Sequence, residues 1–406
     1  MNVGLQWALS DAHLSANQPS SQRQLAVSVS ATGEGSQAPL NLCFVLDRSG
    51  SMMGTPLQTV KQAANRIIDR LTVRDRISII SFDHKAEVLV KNQPATDLEG
   101  IKRRINGLRA GGGTCIDDGL KAGIAELASG KEERISQLLL LTDGENEHGD
   151  NARALKLADV ATGYNLTVST LGFGDHWNQD VLEQIADAGG GSLNYIQHAE
   201  AAIAIFSRLF SRIQSVGLTN AYLNLALADG TRLADFKPVA QVAPETIELT
   251  AVQQSNLAIV RIGDLMKQAR VILVNFYIPQ LRAGTETIAE LQVTYDDPVL
   301  GLSGQATEVV PIAIEAQDAY VPSVDAEVQQ HILALAKYRQ TQLAEDKLKA
   351  GDRQGAVTML QSAAKTAIQM GDQNAATVLQ ENATQLQAGN ELSESDRKKT
   401  RIVSKT

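Results

Sequence analysis

The chain has 406 residues and a formal net charge of -9. One ordinary hydrophobic core does not grow to that length, so two or three domains are expected, and the acidic balance argues against a nucleic-acid partner, which calls for a basic face. The opening "MNVGLQWALSDAHLSANQ" lacks the charged start, apolar middle and cleavage site of a secretory signal, and no run approaches the ~20 apolar residues that span a bilayer; a cytoplasmic protein with no membrane span is expected.

In chain order, "QLAVSVSA" alternates apolar and polar residues, the period of a half-buried strand. From Leu40 to about Ser215 short apolar runs alternate with helix-period segments, the pattern of a parallel sheet covered by helices on both faces. Its strands are "LNLCFVLD", "RISIISFD", "ISQLLLLTD" and "LTVSTLGFG", with "AEVLV" and "SLNYI" at the two edges. Only a tight polar turn separates "RISIISFD" from "AEVLV", so that edge must be antiparallel. Helices are expected to begin near Pro56, Asp97, Ile116, Asn151, Gln179 and Ala199. Cys43 in a strand and Cys115 in a Gly-rich loop sit in unlike settings and read as reduced thiols.

Beyond this region "AYLNLALADG", "TIELTAVQ", "LAIVRIG", "VILVNFYIP" and "AELQVTY" alternate again, as an antiparallel sandwich does. Residues 1–37 are too few for a domain, so they are expected to join residues 217–318 in one β-sandwich domain, with the α/β domain (38–215) inserted into it. After Pro322 the period becomes helical, and Gly351-Asp352 and Gly371-Asp372 each join a helix-ending glycine to an N-cap acid. Residues 322–389 therefore read as a helical bundle, and the polar, charged stretch 390–406 as a flexible basic tail.

One constellation carries chemistry. The buried run "CFVLDRSGSM" ends in Asp47, Ser49 and Ser51, where a curling loop lets alternate side chains converge on one point. Thr114 follows the flexible "AGGG" at a helix start, and Asp143 ends "LLLLTD". All five are expected at the carboxyl edge of the parallel strands, where open α/β sheets bind ligands. Oxygen-only donors suit Mg²⁺, and Mn²⁺ or Ca²⁺ as well.

With Asp47-Arg48-Ser49-Gly50-Ser51, Thr114 and Asp143, residues 38–215 resemble the von Willebrand factor A-type domain and its metal-ion-dependent adhesion site. The likeness extends to "VSTLGFGDHWNQDVLEQIADAGGGSLNYI" as the closing strand-helix-strand. It implies a Rossmann-like, doubly wound, mostly parallel sheet. It further implies that Ser49, Ser51 and Thr114 ligate a Mg²⁺-type ion, that Asp47 and Asp143 ligate it directly or through water, and that a partner protein's Asp or Glu completes the shell. The implied function is binding, not catalysis: a metal-dependent protein-protein interaction module, in a signalling or assembly scaffold. A metal-assisted hydrolase or phosphotransferase is the alternative, but the position two after Asp47, where aspartyl phosphotransferases carry a second Asp, is Ser49.

Asp117, Asp118 and "GENEH" make the rim acidic and read as solvated caps; His84 lies in a turn, and His148, His176 and His198 read as surface residues. The "RAGGGTCIDDG" loop lacks the Lys-[Ser/Thr] ending of a phosphate-binding loop. In the tail, Thr400 lies among Arg397, Lys398, Lys399 and Arg401, a candidate phosphosite for a basophilic kinase. Bacterial A-domain proteins with such tails resemble members of kinase, phosphatase and forkhead-associated signalling sets, which makes those proteins candidate partners.

Overall fold

The computed structural model describes residues 1–33, 38–174 and 176–406; the domain boundary expected after residue 37, and Asp175 of the closing motif, fall outside the described residues. The chain forms two compact units: Met1 with Gly33–Asn220 and Asp296–Gly304, and Asn2–Thr32 with Ala221–Tyr295 and Gln305–Thr406.

Strands β1 (Asn2–Leu9), β2 (His13–Ser15) and β3 (Ser20–Thr32) open the chain. Next come β4 (Leu40–Asp47), α1 (Thr55–Ile68), β5 (Arg76–Phe82), β6 (Ala86–Pro94), α2 (Leu98–Asn106) and α3 (Ile116–Ser129). These are followed by β7 (Ile135–Thr142), α4 (Asn151–Gly163), β8 (Thr167–Phe173), α5 (Gln179–Ala188), β9 (Gly190–Ile196) and α6 (Ala199–Gln214). A strand-rich stretch holds β10 (Val216–Leu227), β11 (Arg232–Leu233), β12 (Val239–Ala243), β13 (Ile247–Leu249), β14 (Ala251–Gln254) and β15 (Leu257–Met266). It continues with β16 (Arg270–Pro279), β17 (Gly284–Asp297), β18 (Leu302–Ala306) and β19 (Val310–Gln317), and the chain closes with α7 (Ala326–Lys349), α8 (Arg353–Met370), α9 (Gln373–Gln387) and α10 (Glu394–Lys405).

In the α/β unit the sheet order is β6-β5-β4-β7-β8-β9, parallel except for β6. Every residue of β4, β7 and β8 is buried, because helices cover both faces and leave no side for polar alternation. Helix α3 lies close on this sheet through its glycines: a Cβ at Gly123 would stand 2.6 Å from a Val45 methyl and 2.9 Å from a Leu138 methyl. Since β4 and β7 run parallel in register, with Leu46 beside Leu141, Asp47 and Thr142 end their strands side by side. That edge positions the site.

Most of the second unit's strands lie in two largely antiparallel sheets, β1-β3-β16-β12-β13 with β11 on β16, and β14-β15-β10-β17-β19-β2 with β18 on β17, where β10, β17 and β18 each have end residues assigned to the first unit. Strand β3 pairs with both β1 and β16, which ties the first residues of the chain to strands more than two hundred residues later. The stretch Asp296–Gly304, like Gly217–Asn220, lies inside the span 217–318 expected as sandwich and groups by contact with the α/β unit. Its acids fold it back on itself: Asp297 Oδ1 accepts from the Val299 and Leu300 amides, Asp296 Oδ1 accepts from Gly304 N, and Asn220 Nδ2 holds Asp296 Oδ2 at 3.0 Å.

Helix α7 lays Val328, Leu335 and Tyr338 against Ala26, Ala240, Val271 and Leu273 of the first sheet. Gly351 and Gly371, both at φ +79°, and the caps Asp352 and Asp372 separate α7, α8 and α9. Small side chains such as Ala356, Ala363, Ala367, Ala375 and Ala383 let these helices approach closely around Leu360, Leu379 and Leu386.

The flexible tail expected over 390–406 is not there: its residues form α10, capped by Ser393, which accepts from the Asp396 amide. Thr400, expected as an accessible phosphosite, is 3% exposed and accepts a hydrogen bond from Asn382 Nδ2. Arg401 bonds to Gln342 and Glu345, and the Lys405 carbonyl accepts from Thr246 N at 2.8 Å. The buried face of α10 is made of Lys398, Thr400, Val403 and Ser404, so it docks through polar partners where a hydrophobic stripe would otherwise be required.

Candidate metal centre

Beyond β4 the chain turns at once, and the turn is held from beneath. Asp47 is fully buried; its Oδ1 accepts from the Ser49 amide at 2.7 Å, and its Oδ2 accepts from the Thr142 hydroxyl at the end of β7. Ser49 Oγ lies 3.0 Å from Ser51 Oγ, and Ser51 Oγ donates to Asp143 Oδ1 at 2.7 Å. Thr114 enters from the loop before α3, where its carbonyl accepts from His148 N at 3.0 Å. A Cβ at Gly144 would stand 3.5 Å from Thr114 Oγ1 and 3.8 Å from Ser51 Oγ, so Gly144 is where the two hydroxyls and the Asp143 turn converge. Backbone bonds complete the frame: Gly50 N donates to Gly112 O at 2.9 Å and Gly111 N to Arg48 O at 2.8 Å.

The resulting cleft has a volume of about 620 Å³, and Ser49, Ser51, Thr114 and Asp143 all line it. Asp47 does not line it. It stands behind the turn and aims Ser49, so of the five residues expected to meet an ion, four share the open cleft and the fifth supports them.

Electrostatics set this cleft apart from an ordinary polar turn. Burial pushes the Asp47 carboxyl up to about 6 against the hydrogen bonds from Thr142 and Ser49, and the neighbouring Asp143 charge adds to the rise. Burial raises Asp143 as well, opposed by the Ser51 hydroxyl. Among the described residues no Lys or Arg pairs with either acid, and the one cation in the turn, Arg48, is engaged by Asp83 at 3.0 Å and Glu87 at 3.5 Å. Two buried carboxylates with no Lys or Arg partner, Asp143 being offset in part by His176 alone, stand beside three hydroxyl oxygens and fit a hard divalent cation: oxygen donors, negative charge and room for water.

The surrounding residues divide. Asp117 and Asp118, close to Cys115, share Arg153 Nη1 at 2.8 and 3.3 Å, so one guanidinium offsets part of the pair's charge. Burial pushes the Cys115 thiol up to about 11 and the Cys43 thiol up to about 12, which leaves both unreactive. His84 and His148, read as turn and surface residues, stack with ring centroids 4.9 Å apart on the loop at Gly113, and exposed His176 lines the cleft. Sequence reasoning also passed over Thr142, which binds Asp47, and Asn146, whose side chain accepts from Ile116 N and caps α3. For Thr142 a signal was available, since "LLLLTD" puts a hydroxyl where an apolar residue would continue the strand.

A doubly wound sheet with this cleft at its carboxyl edge defines a von Willebrand factor A-type domain, and the family model of that description matches residues 41–208. A second model, described as Sll0103-like, C-terminal alpha-helical domain, matches residues 326–406. The protein of Synechocystis sp. called "Uncharacterized protein sll0103" is 57% identical over 409 residues, spanning 100% of this chain and 97% of that one. The chain belongs to this Sll0103-like family of von Willebrand factor A-type proteins. Inter-alpha-trypsin inhibitor heavy chain H4 of Homo sapiens is 30% identical over 180 residues, 41% of this chain and 19% of that one, so the likeness there is to one part of a longer protein. Among solved structures, von Willebrand factor type A from Catenulispora acidiphila shares the fold over 99% of this chain and 96% of its own, with a TM-score of 0.84 at 19% identity. The ArnB paralog VWA2 from Sulfolobus acidocaldarius does so over 99% and 98%, with a TM-score of 0.64 at 16% identity.

Proposed function

We propose that the chain is a metal-dependent protein-binding module. Ser49, Ser51 and Thr114 offer hydroxyl oxygens to one Mg²⁺-type ion, Mn²⁺ and Ca²⁺ being accommodated by the same donors, and Asp143 reaches it directly or through water. Asp47 acts one layer back, fixing the Ser49 amide and the Thr142 hydroxyl so that the donors stay aimed. The observation that carries this reading is the shared cleft of Ser49, Ser51, Thr114 and Asp143, with two buried, raised carboxylates and no Lys or Arg facing them among the described residues.

The ion supplies positive charge and an exchangeable coordination position. What the chain contributes is orientation and access: the cleft is open, Ser51 is exposed, and the turn leaves room for an Asp or Glu of a partner protein to displace a water. No nucleophile is assigned and no bond is broken. Binding of this kind suits a scaffold that assembles or signals reversibly, since removing the ion releases the partner. Regulation through phosphorylation of Thr400 is not part of the proposal, because the hydroxyl is buried in α10.

Pull-down from native lysate with Mg²⁺ or with chelator tests the reading. A partner retained with Mg²⁺, released by chelator and lost with Ser49→Ala supports it. Partners indifferent to both overturn it.

A further inference from the structure

We infer that the metal cleft reads acidic peptides bearing a second carboxylate, which is taken by an arginine groove on the far side of the loop from Leu108 to Gly113; the inference rests on the metal-dependent binding proposed above. The groove has a volume of about 540 Å³, and Arg48, Arg103, Arg104 and Arg109 line it. The acid that also lines it, Glu87, faces Arg48, which pairs with Asp83 as well. The other three guanidinium groups are exposed, and among the described residues none of them pairs with a carboxylate. Arg104 Nη1 donates to the Leu89 carbonyl at 2.7 Å and Arg103 Nε to the Glu99 carbonyl at 3.4 Å, contacts that orient the side chains and leave their charge unmatched.

In a chain of net charge -9 such a concentration of unmatched arginine is a local reversal of sign. Its place is as telling as its charge. The bonds from Gly111 N to Arg48 O and from Gly50 N to Gly112 O tie the wall of the groove to the turn that carries Ser49 and Ser51, so the two concavities share one partition. Arg109 precedes Thr114 by five residues, so their Cα atoms are separated by at most about 18 Å. An extended peptide rises ~3.3 Å per residue. A ligand that places one carboxylate on the ion therefore reaches the arginines with a second acid within about five residues, and guanidinium groups donate paired, directional hydrogen bonds to carboxylates. A peptide fits better than a nucleic acid: Glu145 and Glu147 on the cleft side would repel a continuous row of phosphates.

The test is selection of displayed random dodecamer peptides on the intact chain, once with Mg²⁺ and once with chelator. The expected Mg²⁺-dependent clones carry an Asp or Glu and a second acid within about five residues; converting that second acid to its amide weakens binding at least tenfold. In R103E/R104E/R109E that tenfold preference disappears. Mg²⁺-dependent clones bearing a single acid, or a triple variant that keeps the preference, would overturn the groove while leaving the metal reading in place. Absence of any chelator-sensitive clone would overturn both. An oligonucleotide that binds better than every clone, and needs the three arginines, would replace the peptide with a nucleic acid and sink the inference.

Discussion

Asp47 in the α/β unit and Lys337 in the helical bundle are both 0% exposed, yet their charges are treated in opposite ways. Lys337 Nζ donates to Asp372 Oδ2 at 2.9 Å and to the Thr406 carbonyl at 3.0 Å, so the bundle supplies its own counter-charge. Among the described residues Asp47 has only neutral donors, the Ser49 N–H and hydroxyl and the Thr142 hydroxyl, and lies near a second acid, Asp143. A buried charge balanced inside the fold belongs to structure. One left unbalanced beside an open cleft is arranged for something that arrives from outside, because an ion so desolvated costs several kcal/mol until it is matched.

The contrast breaks most sharply at Lys337. Lys337→Met leaves Asp372, which is partly exposed and keeps the Ala375 amide, without its ammonium and should cost about 3 kcal/mol in urea unfolding, the upper end for hydrogen bonds to a charged group. Asp47→Asn should do the reverse in metal-free protein: removing an unmatched buried charge leaves the unfolding midpoint unchanged or higher. Equal destabilisation by the two substitutions would erase the distinction between them.

Metal sharpens the same contrast. A ligand present at one hundred times its dissociation constant stabilises a folded protein by about 2.7 kcal/mol. Mg²⁺ at that level should raise the unfolding free energy of the α/β unit by this amount in the wild type, should leave Ser49→Ala unmoved, and should produce the same response in Lys337→Met as in the wild type. Differential scanning with a reporter in each unit reads all three.

A smaller effect lies in α10. Thr400→Val leaves the Asn382 side chain without its buried acceptor and should cost about 1 kcal/mol. Protein kinase treatment of the folded chain should leave Thr400 unlabelled, and peptide mapping before and after unfolding checks it.

The smallest expected effect is on pH dependence. Burial alone would raise Asp372, but the Ala375 amide and Lys337 outweigh it and hold the carboxyl below its ordinary range. The folded state therefore binds this proton less readily than the unfolded chain, and the stability that follows is present above the unfolded value of about 3.9 and is lost as pH falls through the lower folded one. Urea midpoints between neutral pH and pH 3 should decline more in wild type than in Lys337→Met.

How much of this could be read from residues alone depended on whether burial was achieved with apolar side chains. "LNLCFVLD" and "ISQLLLLTD" announce fully covered parallel strands, and acids and hydroxyls at their ends stand out against them, so the sheet and Ser49, Ser51, Thr114 and Asp143 were legible. Helix α10 was not, because Lys398, Thr400 and Ser404 are buried there by polar partners that no periodicity reveals. Asp296–Gly304 looks like an ordinary hairpin turn, and its grouping with the α/β unit comes from distant partners such as Glu133, beside Gly301. The withdrawal of Asp47 behind the cleft, and the approach of His148 and His176 to the rim, follow from how separate loops close on one another. Local pattern carries no trace of that.

Diffraction from crystals soaked in MnCl₂, with the anomalous signal of manganese recorded, tests the central claim most directly. The account predicts one strong peak in the cleft, about 2.0–2.2 Å from the hydroxyl oxygens of Ser49 and Ser51, with at least one coordination position held by exchangeable water. A featureless cleft, or manganese bound only at other surface acids, would contradict it.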